Sequence, residues 1–203
     1  MREQWRIAAA AVCAAALAAG GCGKGPAEAA LREADEALAA ARPELETYVP
    51  DEWRSLGRSL SAARARLEQG EYGEALRSAR DLLPRIESAV GAARRRKDDM
   101  VAAFHELRSS LPPLVRSLLT RVAALAGARR LPRGVNRAMV GSAQRELAAI
   151  ASDWNEAASG FEAGDVPAAL ERARSVGARA EELAAALGVA VEGEPVVTNT
   201  AAE

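Results

Sequence analysis

The sequence predicts an all-α protein, an elongated antiparallel helical bundle of five or six helices built from two related αα-hairpins. Three observations lead there. Alanine, leucine, arginine and glutamate dominate the 203 residues, which is the composition of helical bundles. Apolar residues recur at alternating steps of four and three, the rhythm of one buried helix face. Glycine and proline fall where that rhythm breaks. Aromatic residues make up only 3% of the chain and charged residues 27%, so the seams are small-residue seams with solvated outer faces.

The first helix follows a short Gly23-Lys24-Gly25 tether, with Pro26 placed as its first residue. Its stripe is Ala27, Leu31, Ala34, Leu38, Ala41, Leu45 and Tyr48. Pro43 is expected to end or kink it, because proline lacks the backbone donor and crowds the preceding turn. The second helix opens after Pro50 with Asp51 and Glu52 near its positive N-terminus. It carries Trp53, Leu56, Leu60, Ala63 and Leu67, and stops at Gly70. The third has the stripe Tyr72, Leu76, Ala79, Leu83, Ile86, Val90, Ala93, Lys97, Met100, Phe104, Leu107 and Leu111. It is expected to bend at Pro84 and to end at Pro112-Pro113. A fourth helix uses Leu114, Leu118, Val122 and Leu125, before a basic turn from Ala128 to Gly134. The fifth carries Val135, Met139, Ala143, Leu147, Ile150, Trp154, Ala157 and Phe161, and stops at Gly164. The sixth carries Val166, Ala169, Ala173, Val176, Ala180, Leu183 and Leu187, and stops at Gly188. The resulting division is residues 27–111 and 112–188 as two helical units, with 189–203 a disordered tail lacking helical rhythm.

An internal repeat underlies the two units. Residues 67–80 can be laid over residues 161–174, an offset of 94, with Glu68/Glu162, Gly70/Gly164, Ala75/Ala169, Leu76/Leu170, Ala79/Ala173 and Arg80/Arg174 identical. Each copy is read as an αα-hairpin turning at a glycine followed by an acid. The turn resembles that of a tetratricopeptide hairpin. Gly70-Glu71-Tyr72 with Ala75 matches its Gly-acid-Tyr pattern, and Gly164-Asp165-Val166 with Ala169 matches it partly. The resemblance implies hairpin geometry alone, since the repeat period and arm lengths are not those of a tetratricopeptide array.

Ahead of the helices, Arg2 and Arg6 flank the start of an uncharged run from Ile7 to Ala19. Ala19-Gly20-Gly21 then leads into Cys22. A basic region, a short apolar region and small residues before a cut are the layout of an export signal. The run is too short to span a bilayer, which takes about 20 apolar residues. Ala19-Gly20-Gly21-Cys22 resembles the lipobox of bacterial lipoproteins, although alanine stands where that pattern usually has leucine. The resemblance implies a signal peptide over 1–21, lipidation of Cys22, a tether over 22–26 and a place on the periplasmic face of the outer membrane, because Gly23 is not a retention aspartate. Loss of Arg2, Glu3 and Arg6 with the signal moves the formal charge from −1 to −2, which argues against a nucleic-acid partner.

The rest of the chain offers no reactive constellation and no cofactor. Cys13 and Cys22 are the only cysteines and His105 the only histidine, so neither a thiolate site nor a metal cluster is expected in the body. His105 reads as a seam-edge residue beside Phe104. Arg94-Arg95-Arg96-Lys97 reads as a solvated face, since Asp98 and Asp99 follow at once. Arg129, Arg130, Arg133 and Arg137 surround a turn with fewer acids and are the better partner-contact candidates. The expected function is a membrane-tethered, non-catalytic helical interaction or scaffold module with an envelope protein partner. The alternative is a binder of lipid or a small amphiphile in a groove between hairpins.

Overall fold

The computed structural model describes residues 23–189. Cys22, the export signal expected before it and the tail expected beyond Val189 therefore lie outside the described residues. Every regular element among the described residues is an α-helix, and there are five. They are α1 (Lys24–Tyr48), α2 (Pro50–Glu68), α3 (Tyr72–Gly127), α4 (Arg137–Glu162) and α5 (Val166–Leu187). The chain divides between Lys97 and Asp98 into two units, rather than between 111 and 112 as the sequence suggests. The expected third and fourth helices are one helix, α3, which supplies a segment to each unit.

Four prolines that the sequence casts as breakers are accommodated inside helices: Pro43 in α1, and Pro84, Pro112 and Pro113 in α3. All four are exposed, and so are Ala39, Arg80, Arg108 and Ser109, whose carbonyls each proline leaves without its usual donor. Water can satisfy those carbonyls. An interior proline costs about 3 kcal/mol, and burial of the seam on both sides of it offsets that cost. At Pro112-Pro113 the seam continues through Leu111 and Leu118, both buried. The helix also begins at Lys24, so the expected tether of residues 22–26 is shortened to the residues before it.

In unit 1, α1, α2 and the first segment of α3 bury Leu31, Leu38, Leu45, Leu56, Leu60, Leu82 and Ile86 in one cluster. The α3 register differs from the sequence stripe. Leu82 is 1% exposed, while Leu76, Leu83 and Val90 are only partly buried against the cluster. A helix packed on two neighbours buries a wider arc than a two-helix seam, and its centre moves to Ala75, Ala79, Leu82, Ile86 and Ala89. The Arg94-to-Lys97 run is solvated: all four residues are exposed. Arg94 pairs with Glu44 at 3.7 Å, and the Lys97 ammonium stands 6.0 Å from the centre of the Tyr48 ring.

In unit 2, the second segment of α3 packs with α4 and α5 through Leu118, Val122, Leu147, Ile150, Val176 and Leu187. A second cluster centres on Phe104, with Ala157, Leu170 and Ala173. Phe104 is fully buried, stacked on Phe161 at 4.1 Å and on Trp154 at 5.7 Å between ring centres. His105 lies at the edge of this stack, 5.4 Å from Phe161 in an edge-on arrangement, and is exposed. At the start of α4 the buried residue is Val140 at 4%, while Met139, expected on the seam, is 36% exposed.

The repeat is a repeat of geometry. Gly70 N–H donates to the Leu67 carbonyl at 3.1 Å and Glu71 N–H to Arg66 at 2.9 Å. Gly164 N–H donates to Phe161 at 3.0 Å and Asp165 N–H to Gly160 at 3.0 Å, the same bonds displaced by 94 residues. This pairing satisfies the last carbonyls of α2 and α4 and requires a left-handed residue after the helix. Gly70 and Gly164 supply it with φ of +83° and +89°. Burial follows the offset as well: Leu56/Ile150, Ala63/Ala157, Ala75/Ala169, Ala79/Ala173, Leu82/Val176 and Ile86/Ala180 are buried in both copies.

Candidate functional site

The four arginines singled out at the α3–α4 connection do not act as one group. Arg137, on the first turn of α4, points its guanidinium back at the end of α3. There it donates to the carbonyls of Leu125 at 3.3 Å, Ala126 at 2.9 Å and Ala128. Carbonyls at a helix C-terminus lack their i+4 donors and carry the negative end of the dipole, and Leu125 has only a long bond from Ala128 N–H at 3.4 Å, so a cation there acts as a cap. Arg137 is a structural clamp rather than a free contact residue. The connection is further fixed by Leu131 and Val135, which pack on the unit 2 core. The Asn136 side chain caps α4 by accepting from Met139 N–H at 2.9 Å. Arg129, Arg130 and Arg133 remain exposed on this turn, and among the described residues none of the three enters an ion pair. The loop that carries them is tied back to α3 by Arg137.

A second feature of unit 2 has no counterpart in the sequence reading. Between α3 and α4 there is a pocket of about 290 Å³. Leu111, Pro112 and Val115 line it from α3, and Ile150, Ala151 and Trp154 from α4. Its origin is steric. The compact Pro112 ring and the Ala151 methyl group leave space between two helices whose flanking positions carry large side chains. The pocket wall is apolar, and two polar residues, Arg116 and Asn155, complete it. Trp154 is held in place by its stack on Phe104. Arg116 also borders an open cleft of about 730 Å³ that carries Ser117, Thr120 and Arg121. Arg121 is occupied there, donating from Nε to the Leu187 carbonyl at 3.1 Å. The guanidinium of Arg116 pairs with no acid among the described residues. Its backbone carbonyl accepts from Thr120 Oγ1 at 3.0 Å.

The third polar feature is Arg179 on α5, which bridges Glu146 at 2.7 Å and Asp153 on α4. The hydrogen bond that Arg179 donates to Glu146, then the one it donates to Asp153, raises its pKa above the ordinary value. At 32% side-chain exposure this is a partly shielded strap across α4 and α5, and its acids are held by the arginine rather than open to a substrate. Among the described residues no group of three or more His, Cys, Asp or Glu is placed to hold a metal. No described helix is long and apolar enough to cross a membrane.

The sequence could have signalled the pocket only through Pro112-Pro113 lying inside an uninterrupted apolar rhythm. Its other wall comes from residues about 40 positions away, which local periodicity does not reach. Comparison of the chain with family models, with curated proteins and with solved structures returned no match in any of the three.

Proposed function

We propose that this chain is a lipid-anchored, non-catalytic protein of a bacterial cell envelope, tethered through Cys22 and presenting its helical units as an interaction or scaffold module. The observation that carries the reading is Ala19-Gly20-Gly21-Cys22 at the end of an uncharged run, two residues before α1 begins at Lys24. A thioether-linked and acylated cysteine at that point would hold the first helix next to a leaflet. Each buried methylene contributes about 0.8 kcal/mol, and more than one chain makes the attachment stable. The packing supports a binding rather than a chemical role. Among the described residues every buried side chain is apolar, and Arg64–Asp35, Arg172–Glu156 and Arg179–Glu146 are surface pairs that join neighbouring helices. The exposed cationic turn at Arg129, Arg130 and Arg133 is the surface best suited to an acidic protein partner.

Fractionation of cells producing the wild-type chain and Cys22→Ser tests the tether. The wild type is expected in the membrane pellet, resistant to high salt and released by detergent. Cys22→Ser is expected to lose that behaviour. Equal partition of the two chains would overturn the reading.

A further inference from the structure

We propose that the pocket between α3 and α4 at Pro112 binds a single-chain anionic amphiphile, with its apolar chain against Leu111, Ile150 and Trp154 and its charged group on the Arg116 guanidinium. The inference goes beyond the tethered scaffold and does not depend on Cys22, because every lining residue belongs to unit 2.

Three observations converge on this ligand class. The pocket volume, about 290 Å³, lies at the small end of ligand sites, which run from about 300 to 1,000 Å³. It suits one acyl chain and is too small for a two-chain lipid. The wall is almost wholly apolar and includes an indole whose position is fixed by stacking on Phe104. A preformed apolar wall gains affinity because little side-chain order must be bought on binding. The single cation lining the pocket, Arg116, has no acidic partner among the described residues, and Asn155 lines it from α4 with an amide group. Arg116 also lines the open cleft that carries Ser117, Thr120 and Arg121. A charged head on Arg116 would therefore lie between the apolar pocket wall and the more polar open cleft. That is the arrangement an amphiphile requires, and a neutral hydrocarbon or a free small anion would leave half of it unused.

The test uses the full chain with Cys22→Ser, so that no detergent competes, and with Trp5→Phe and Trp53→Phe, which leaves Trp154 as the sole indole. Decanoate, decyl phosphate and decanol are titrated below the concentrations at which they form micelles. Both anions are expected to give a saturable shift of Trp154 emission, and the tighter of the two identifies the head chemistry. Arg116→Gln is expected to weaken the anions about tenfold, the loss of one charge-assisted contact, while leaving decanol unchanged. Ala151→Phe is expected to fill the pocket and abolish all three responses. Ala151 is exposed, so the core survives the change, and Ala151→Leu serves as the milder variant should circular dichroism show unfolding. Absence of saturation with all three probes overturns the proposal. So does anion binding that Arg116→Gln leaves intact, or binding that persists in both Ala151 variants.

Discussion

Phe104→Ala is the perturbation that reaches deepest into unit 2. The side chain is fully buried, and its ring lies within 8° of parallel to both Phe161 and Trp154. Removing a buried ring and leaving a cavity costs about 3–5 kcal/mol. Aromatic pairs add about 0.5–1.5 kcal/mol each beyond area burial, but that gain is already contained in the measured range. Trp154 borders a pocket, so it has room to collapse partly into the new cavity. The expected loss is therefore in the lower half of the range, about 3–4 kcal/mol. Phe104→Leu keeps most of the volume and should cost about 1–2 kcal/mol. Urea unfolding followed by tryptophan emission measures both, using one chain with Trp154 as sole indole and another with Trp53. With a slope of about 1–3 kcal/mol per molar urea, the Trp154 transition should fall by 1 M or more in the alanine variant. The Trp53 transition in unit 1 should move much less. A loss below about 1 kcal/mol at Trp154 would refute the reasoning that this stack organises the unit.

Other expectations follow from single contacts. Gly70→Ala and Gly164→Ala should each cost about 1 kcal/mol, because φ is +83° and +89° while nothing lies within 4 Å of the added methyl. Gly73→Ala, one turn away in α3 and equally open, should stabilise by about 0.5–1 kcal/mol, and thermal melts of the three would separate backbone strain from steric clash. Arg137→Ala should cost about 1 kcal/mol by uncapping α3, with amide exchange accelerating in its last turn; unchanged exchange would contradict the clamp. Reversing Arg129, Arg130 and Arg133 to Glu should leave the melting temperature unchanged and reduce cross-linking to envelope proteins, and undiminished cross-linking would remove that turn as the contact surface.

Much of the fold is legible in the sequence because it is written locally. The four-three rhythm marks each helix, and Gly70 and Gly164 mark matching turns whose hydrogen bonds repeat at the same offset. Local rules fail where two effects compete. Pro112-Pro113 reads as a terminator, yet the buried Leu111 and Leu118 on either side hold α3 together. Ser109 and Ser110 also turn their hydroxyls back onto the Glu106 carbonyl there. The α3 stripe is displaced by one residue at Leu82 because periodicity locates one seam and cannot anticipate a helix buried by two partners. Arg137 looks like its neighbours in sequence, and only the fold shows that it faces the α3 carbonyls. The pocket is the least legible feature, since it depends on Pro112 meeting Ala151 across two helices.

The chemistry at Cys22 decides whether the chain is tethered, and intact-mass analysis of the N-terminal peptide from membrane-extracted protein reads it directly. The predicted result is a peptide beginning at Cys22 and carrying the added mass of a diacylglyceryl group, with or without a further acyl chain. An unmodified Cys22 in a chain that still begins at Met1 would contradict it.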